Sequence, residues 1–201
     1  MQIFISIQKF TYMMVYSNGK IAGVFFFIAA AEFILGLIVA EALYPGYSIS
    51  TNYISDLGVG PSSTVFNLSI FLTGLLTIIG TYFLHRTFKY KLVTFFIIIA
   101  ALAAMGVGIF TENSELMHMF VSFIVFLFSA LSAIFSCALI KYPFNIIAVL
   151  LGLMSLLALI FYIGNLYLGL GVGGMERMIV YPVLIWMIGF GGFLIALPEK
   201  S

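Results

Sequence analysis

The chain has 201 residues, of which 64% are hydrophobic and 7% charged, with a mean hydropathy of +1.24. That composition excludes an ordinary soluble domain and marks an integral membrane protein. A net charge of +1 leaves no basic field to hold nucleic acid, and the single cysteine, Cys137, excludes an intrachain disulfide and a thiolate cluster.

A membrane-crossing helix needs about 20 mostly apolar residues. Six stretches meet that length: 21–43, 65–84, 92–110, 117–140, 144–166 and 178–197. No water is available in the bilayer core to satisfy backbone groups, so these runs are predicted as helices of one all-α bundle. Residues 1–20 read as an interfacial segment ahead of a single six-helix domain over 21–201. Gln8 and Lys9 interrupt its apolar character, so it does not read as a secretory signal, and Met13 and Met14 offer later starts. Lys9, Lys20, Arg86, Lys89, Lys91, Lys141 and Lys200 fall on one side of a six-span arrangement and Arg177 alone on the other. The bias of Lys and Arg toward the cytoplasm then predicts a multi-pass protein of the cell membrane with both termini cytoplasmic.

Two connectors on the opposite, outer side stand out. Tyr44 to Thr64 is too polar to span and too aromatic for a flexible linker; it is expected to cap the outer mouth, with Tyr44, Tyr47 and Tyr53 at headgroup level. Gly164 to Gly174 is glycine-rich and reads as a flexible loop or helix extension. No strand precedes it and no Lys-Ser/Thr pair follows, so it is not a phosphate loop.

Glu32, near the middle of the first span, is the candidate that matters most. An acid at bilayer centre costs about 2.5–3.5 kcal/mol on insertion scales, so it should face the bundle. Its functional reading is a proton- or cation-handling carboxyl; its structural reading is a protonated acid bonded to a neighbouring helix. Ser69, Thr73, Thr77 and Thr81 recur every four residues on the second span, and His118, Ser122, Ser129, Ser132 and Ser136 share a face of the fourth. A rise of 1.5 Å per residue brings Thr73, Thr77 and Ser129 to the depth of Glu32. These stripes could line a polar cavity or simply pack helices closely.

Near the outer end, Glu112, Asn113, Glu115 and His118 open the fourth span, with Glu41, Asp56, Glu176 and Arg177 contributed by the connectors. Glu115 and His118 form one Glu-x-x-His unit, but a di-iron site needs two, and His85 lies at the opposite face. No metal or cofactor is expected. Asn113 or Ser114 is expected to cap the fourth span, with Glu112 favoured there by the helix dipole. Pro182 should disturb the last span, and Trp186 reads as an interface anchor or packing residue.

The stretch Ile49 to Leu76 carries Ser55-Asp56-Leu57-Gly58 and then Asn67, and His118 opens the fourth span. With these features the chain resembles DUF998, a prokaryotic family of six-span membrane proteins. The resemblance implies the six-helix architecture and directs attention to Asp56, Asn67 and His118; it implies no activity. The leading expectation is binding or transport of a lipid or small amphiphile in an outward pocket formed by Asp56, Asn67 and His118, with Ser122 and Thr73, and continuing to Glu32. One alternative is a membrane-embedded hydrolase using Asp56 and His118, with or without a metal. The other is an accessory subunit whose partner is a membrane protein or a second copy of the chain.

Overall fold

The computed structural model describes the backbone of residues 2–198 and the side chains from residue 18 onward. Lys9 and Lys200 lie outside the described side chains, as do Gln8, Met13 and Met14. The described chain is all-helical, and six of its helices are long and apolar enough to cross a membrane.

The helices are α1 (Gln2–Leu43), α2 (Ser63–Phe88), α3 (Lys91–Ile109), α4 (Glu115–Phe135), α5 (Phe144–Ile163) and α6 (Gly171–Ile195). Short 3₁₀ turns occupy Ser55–Gly58, Gly60–Ser62, Glu112–Ser114 and Ser136–Ala138. Each helix packs on the next in chain order, and α6 returns to α1, so the bundle closes as a ring. This follows from short connections, which make successive helices antiparallel neighbours. Large apolar residues such as Leu35, Leu68, Leu116 and Ile160 are exposed on the outside of the ring, as expected where lipid tails and not water surround a bundle.

The inward face is built largely of small residues. Gly74 stands where a Cβ would lie 2.5 Å from Ala101 O, and Gly108 where one would lie 2.6 Å from Asn67 O. These are the close helix approaches that glycine permits in membrane bundles. Trp186 is packing and not an interface anchor: it is 2% exposed, stacks on Phe190 and donates from Nε1 to Ser136 Oγ at 2.9 Å. Helix α6 continues through Pro182. Ser155 Oγ donates to Ile179 O at 2.8 Å, next to the carbonyl that Pro182 leaves without its helical donor.

Helix α6 begins at Gly171, seven residues before the predicted span. Glu176 and Arg177 are therefore helical core residues and not loop residues. The glycines that argued against helix are required by contact: a Cβ on Gly173 would lie 1.9 Å from Asn52 O, and Gly171 has φ +76° with Ser50 O 2.1 Å from its would-be Cβ. The helix start tucks under the first connector, where any side chain would collide with backbone.

Candidate functional site

The connector between α1 and α2 folds down onto the ring, as a cap should. Leu57 is fully buried and Ile54 nearly so. Its tyrosines make protein contacts: Tyr44 packs edge-on against Tyr47, and Tyr47 is held by a buried cation. Arg177 Nη2 donates to Glu41 Oε1 at 2.6 Å and to Tyr47 OH at 2.8 Å, while Nη1 donates to Ile49 O and Gly173 O. Its guanidinium also sits 5.5 Å from the centre of the Tyr47 ring. Tyr47 in turn donates to Tyr53 O at 2.8 Å. Burial pushes the Tyr47 hydroxyl up to about 12, so it keeps its proton and remains a donor across the neutral range. Tyr53 packs edge-on against Tyr162 of α5.

Each residue of the Ser55-Asp56-Leu57-Gly58 turn has a distinct contact. Ser55 Oγ donates to Glu112 Oε1 at 2.5 Å. Asp56 Oδ2 accepts from Asn52 Nδ2 at 2.8 Å and Tyr53 N at 3.0 Å, which ties the turn to itself. Leu57 O accepts from Ser62 Oγ. Asn67 Nδ2 donates to Gly58 O at 3.0 Å, and a Cβ on Gly58 would approach Asn67 Oδ1 to 2.8 Å. Asn67 Oδ1 itself is buried without a hydrogen-bond partner.

The expected cap of α4 is not made: neither Asn113 nor Ser114 places a side-chain cap on that helix. Glu112 is instead bonded across the bundle to Ser55, whose hydroxyl supplies the donor, and its carboxyl faces Asp56 and His118. His118 Nδ1 lies 2.8 Å from Phe110 O. A carbonyl only accepts, so that nitrogen carries hydrogen. His118 Nε2 then faces Ser122 Oγ at 3.4 Å. Asp56 and His118 therefore approach the same carboxyl, Glu112, but the atoms that orient His118 belong to Phe110 and Ser122 and not to Asp56.

Glu32 meets Thr73 across the α1–α2 interface. Thr73 Oγ1 lies 2.9 Å from Ser69 O, 3.2 Å from Glu32 Oε2 and 3.4 Å from Ala29 O. One hydroxyl hydrogen cannot serve three acceptors, and the shortest contact is the usual helical one to the carbonyl four residues back. Glu32 Oε2 and Ala29 O are the longer, competing acceptors for that hydrogen. Glu32 thus faces the neighbouring helix and not lipid.

Inside the ring lies a cavity of about 110 Å³ between α2, α3, α4 and α6. Ile54 and Ser55 of the connector line its roof. Small residues of α2 and α3 (Gly74, Ala100, Ala101 and Ala104) leave the room, and Phe33, Phe66 and Phe126 are among its apolar walls. Its polar groups are Ser55, Thr73, Thr77, Ser122, Ser129 and Glu176. Of the six residues singled out in sequence, Thr73 and Ser122 are in the wall. Glu32, Asp56, Asn67 and His118 stand one contact behind it, through Thr73, the connector turn or Ser122. A second groove, between α1 and α6, is lined by exposed Ile38 and Ile185 and faces the lipid side.

Sequence reasoning missed Glu176. It is 5% exposed, accepts from Ile54 N through Oε2 and lines the cavity. The signal was present: two acidic and basic neighbours directly after a Gly-x-Gly-Gly helix start. No three His, Cys, Asp or Glu residues are grouped to hold a metal among the described residues.

No curated protein and no solved structure matches the chain. One family model does, described as a protein of unknown function, DUF998, over residues 27–192. That match takes in α2 to α5 whole, most of α6, the apolar second half of the first helix and the capping connector. The chain belongs to the DUF998 family, a multi-pass membrane protein whose helix ring is closed at one end by the Ser-Asp-Leu-Gly turn.

Proposed function

We propose that the protein binds a small amphiphile, or one end of a lipid, in the cavity within the helix ring. The observation that carries this reading is the cavity's lining: mostly alanine, valine, isoleucine and phenylalanine, with the hydroxyls of Thr73, Thr77 and Ser129 deeper in the ring and Glu176, Ser55 and Ser122 on the elements nearest the connector. Binding sites are typically mostly apolar with a few placed polar groups. At about 110 Å³ the space is smaller than the 150 Å³ or so that accommodates benzene in an engineered cavity. A short amphiphile fits, whereas only a segment of a long lipid would enter. The bias of Lys and Arg supports a connector end that faces away from the cytoplasm, so the ligand would be met from the outer leaflet.

Short alkanols test the reading. n-Butanol at about ten times its dissociation constant should stabilise the wild type by about 1.4 kcal/mol, a rise of roughly 3–6 °C in melting temperature for a chain of this size. Ala104→Leu places three further carbons in the wall and should abolish that rise while leaving the protein folded. An equal butanol response in both proteins would place the effect on the detergent or the outer surface and sink the proposal.

A further inference from the structure

We infer that the cavity selects a cationic amphiphile, an alkylammonium-type ligand, over anionic or neutral ones of the same size; this rests on the binding reading above. Glu176 is the single ionisable residue in the cavity wall. Its Oε2 is held by Ile54 N, and Oε1 has no hydrogen-bond partner among the described residues. The side chain is 5% exposed and lines the cavity.

No cation bonds this carboxyl directly, although the neighbouring Arg177 charge partly offsets it. Arg177 is the next residue, but its guanidinium is directed to Glu41, Tyr47 and the carbonyls of Ile49 and Gly173. Glu112 and Asp56 stand on the far side of the roof and add negative potential at Glu176. His118 is the other group near them, and its Nδ1 is spent on Phe110 O. No Lys, Arg or His lines the cavity. An ion without a partner in a low-dielectric site is costly, and a ligand that brings the opposite charge recovers that cost. The same field repels a carboxylate or phosphate headgroup.

The geometry therefore points to an ammonium group placed at Glu176 Oε1, near the hydroxyls of Ser55 and Ser122, with its alkyl chain running toward Ala104, Val183 and Met187. The test compares n-butylamine, n-butanol and butyrate at pH 7, by thermal shift and by direct titration, on the full chain in detergent. Butylammonium should bind the wild type at least tenfold more tightly than butanol, and butyrate should not bind measurably. Glu176→Gln should bring butylammonium down to the level of butanol. If butanol binds and butylammonium gains nothing over it, the charge selection is wrong while the cavity reading stands. If none of the three binds, both fail. Should Glu176→Gln not fold, the wild-type comparison of the three compounds decides the matter alone.

Discussion

Replacing Gly173 by Ala should cost about 3 kcal/mol, the upper part of the range for overpacking a close-packed site. The added carbon would lie 1.9 Å from Asn52 O and 2.6 Å from Ile49 O. Both obstacles are backbone, so no rotamer change relieves them. Either α6 or the connector must retreat, and the hydrogen bond from Gly173 N to Ser50 O at 3.2 Å is lost with it. Arg177 Nη1, bonded to Ile49 O and Gly173 O across the same contact, would follow. Gly192, in the same helix, meets nothing within 4 Å at its would-be Cβ. Gly192→Ala should therefore be stabilising by about 0.5–1 kcal/mol, through the reduced backbone entropy of the unfolded chain. Opposite signs in melting temperature for two Gly→Ala changes in one helix would isolate the contact with the connector as the cause.

Arg177→Met should be comparably damaging, again by about 3 kcal/mol, because breaking a buried ion pair from one side leaves the other charge unpaired. For a chain of this size that is roughly 6–12 °C in melting temperature. Methionine keeps much of the aliphatic volume, so the loss reports charge and hydrogen bonding. The bonds to Glu41, Tyr47, Ile49 O and Gly173 O vanish together. Glu41 is 21% exposed against 6% for Arg177, so water partly rehydrates the orphaned carboxylate, and the cost stays at the lower end of the range. The double variant Arg177→Met with Glu41→Gln should recover part of the loss, since no unpaired charge then remains. If the double variant is as unstable as the sum of its parts, the pair is not the coupling element that the contacts describe.

Both predictions concern the joint between connector and α6, which was the least legible part of the sequence. The spans were legible because lipid imposes one requirement, some twenty apolar residues in helical form, and the chain satisfies it six times. The meeting of Glu32 and Thr73 was also legible, because depth follows from residue number at a fixed rise. The start of α6 was not. Four glycines between Gly169 and Gly174 argue against helix on propensity, and the reason that overrides propensity is the backbone of residues 49–52 lying against them. That contact is between segments more than a hundred residues apart, so no local pattern carries it. With the helix start misplaced, Glu176 and Arg177 read as loop charges, although they are a cavity wall and a buried clamp.

Glu112 illustrates the same limit from another side. A carboxylate in the first turn of a helix is ordinarily explained by the dipole and by capping. Here Ser55 supplies a donor from across the bundle, and a tertiary hydrogen bond displaces the local one. The Ser-Asp-Leu-Gly turn was legible as a motif but not as a set of contacts. Its serine reaches into the roof of the cavity, its aspartate fastens the turn, its leucine fills the core and its glycine admits Asn67.

Ligand binding requires an open, mostly apolar space at the centre of the ring, roofed by Ile54 and Ser55 and walled by Ala104 and Val125. Crystals of the protein exposed to pressurised xenon test it most directly, because xenon settles against the apolar walls of interior cavities. A xenon peak inside the ring, among α2, α3, α4 and α6, is the predicted result. Xenon confined to the lipid-facing surface, with side chains filling the ring interior, would contradict it.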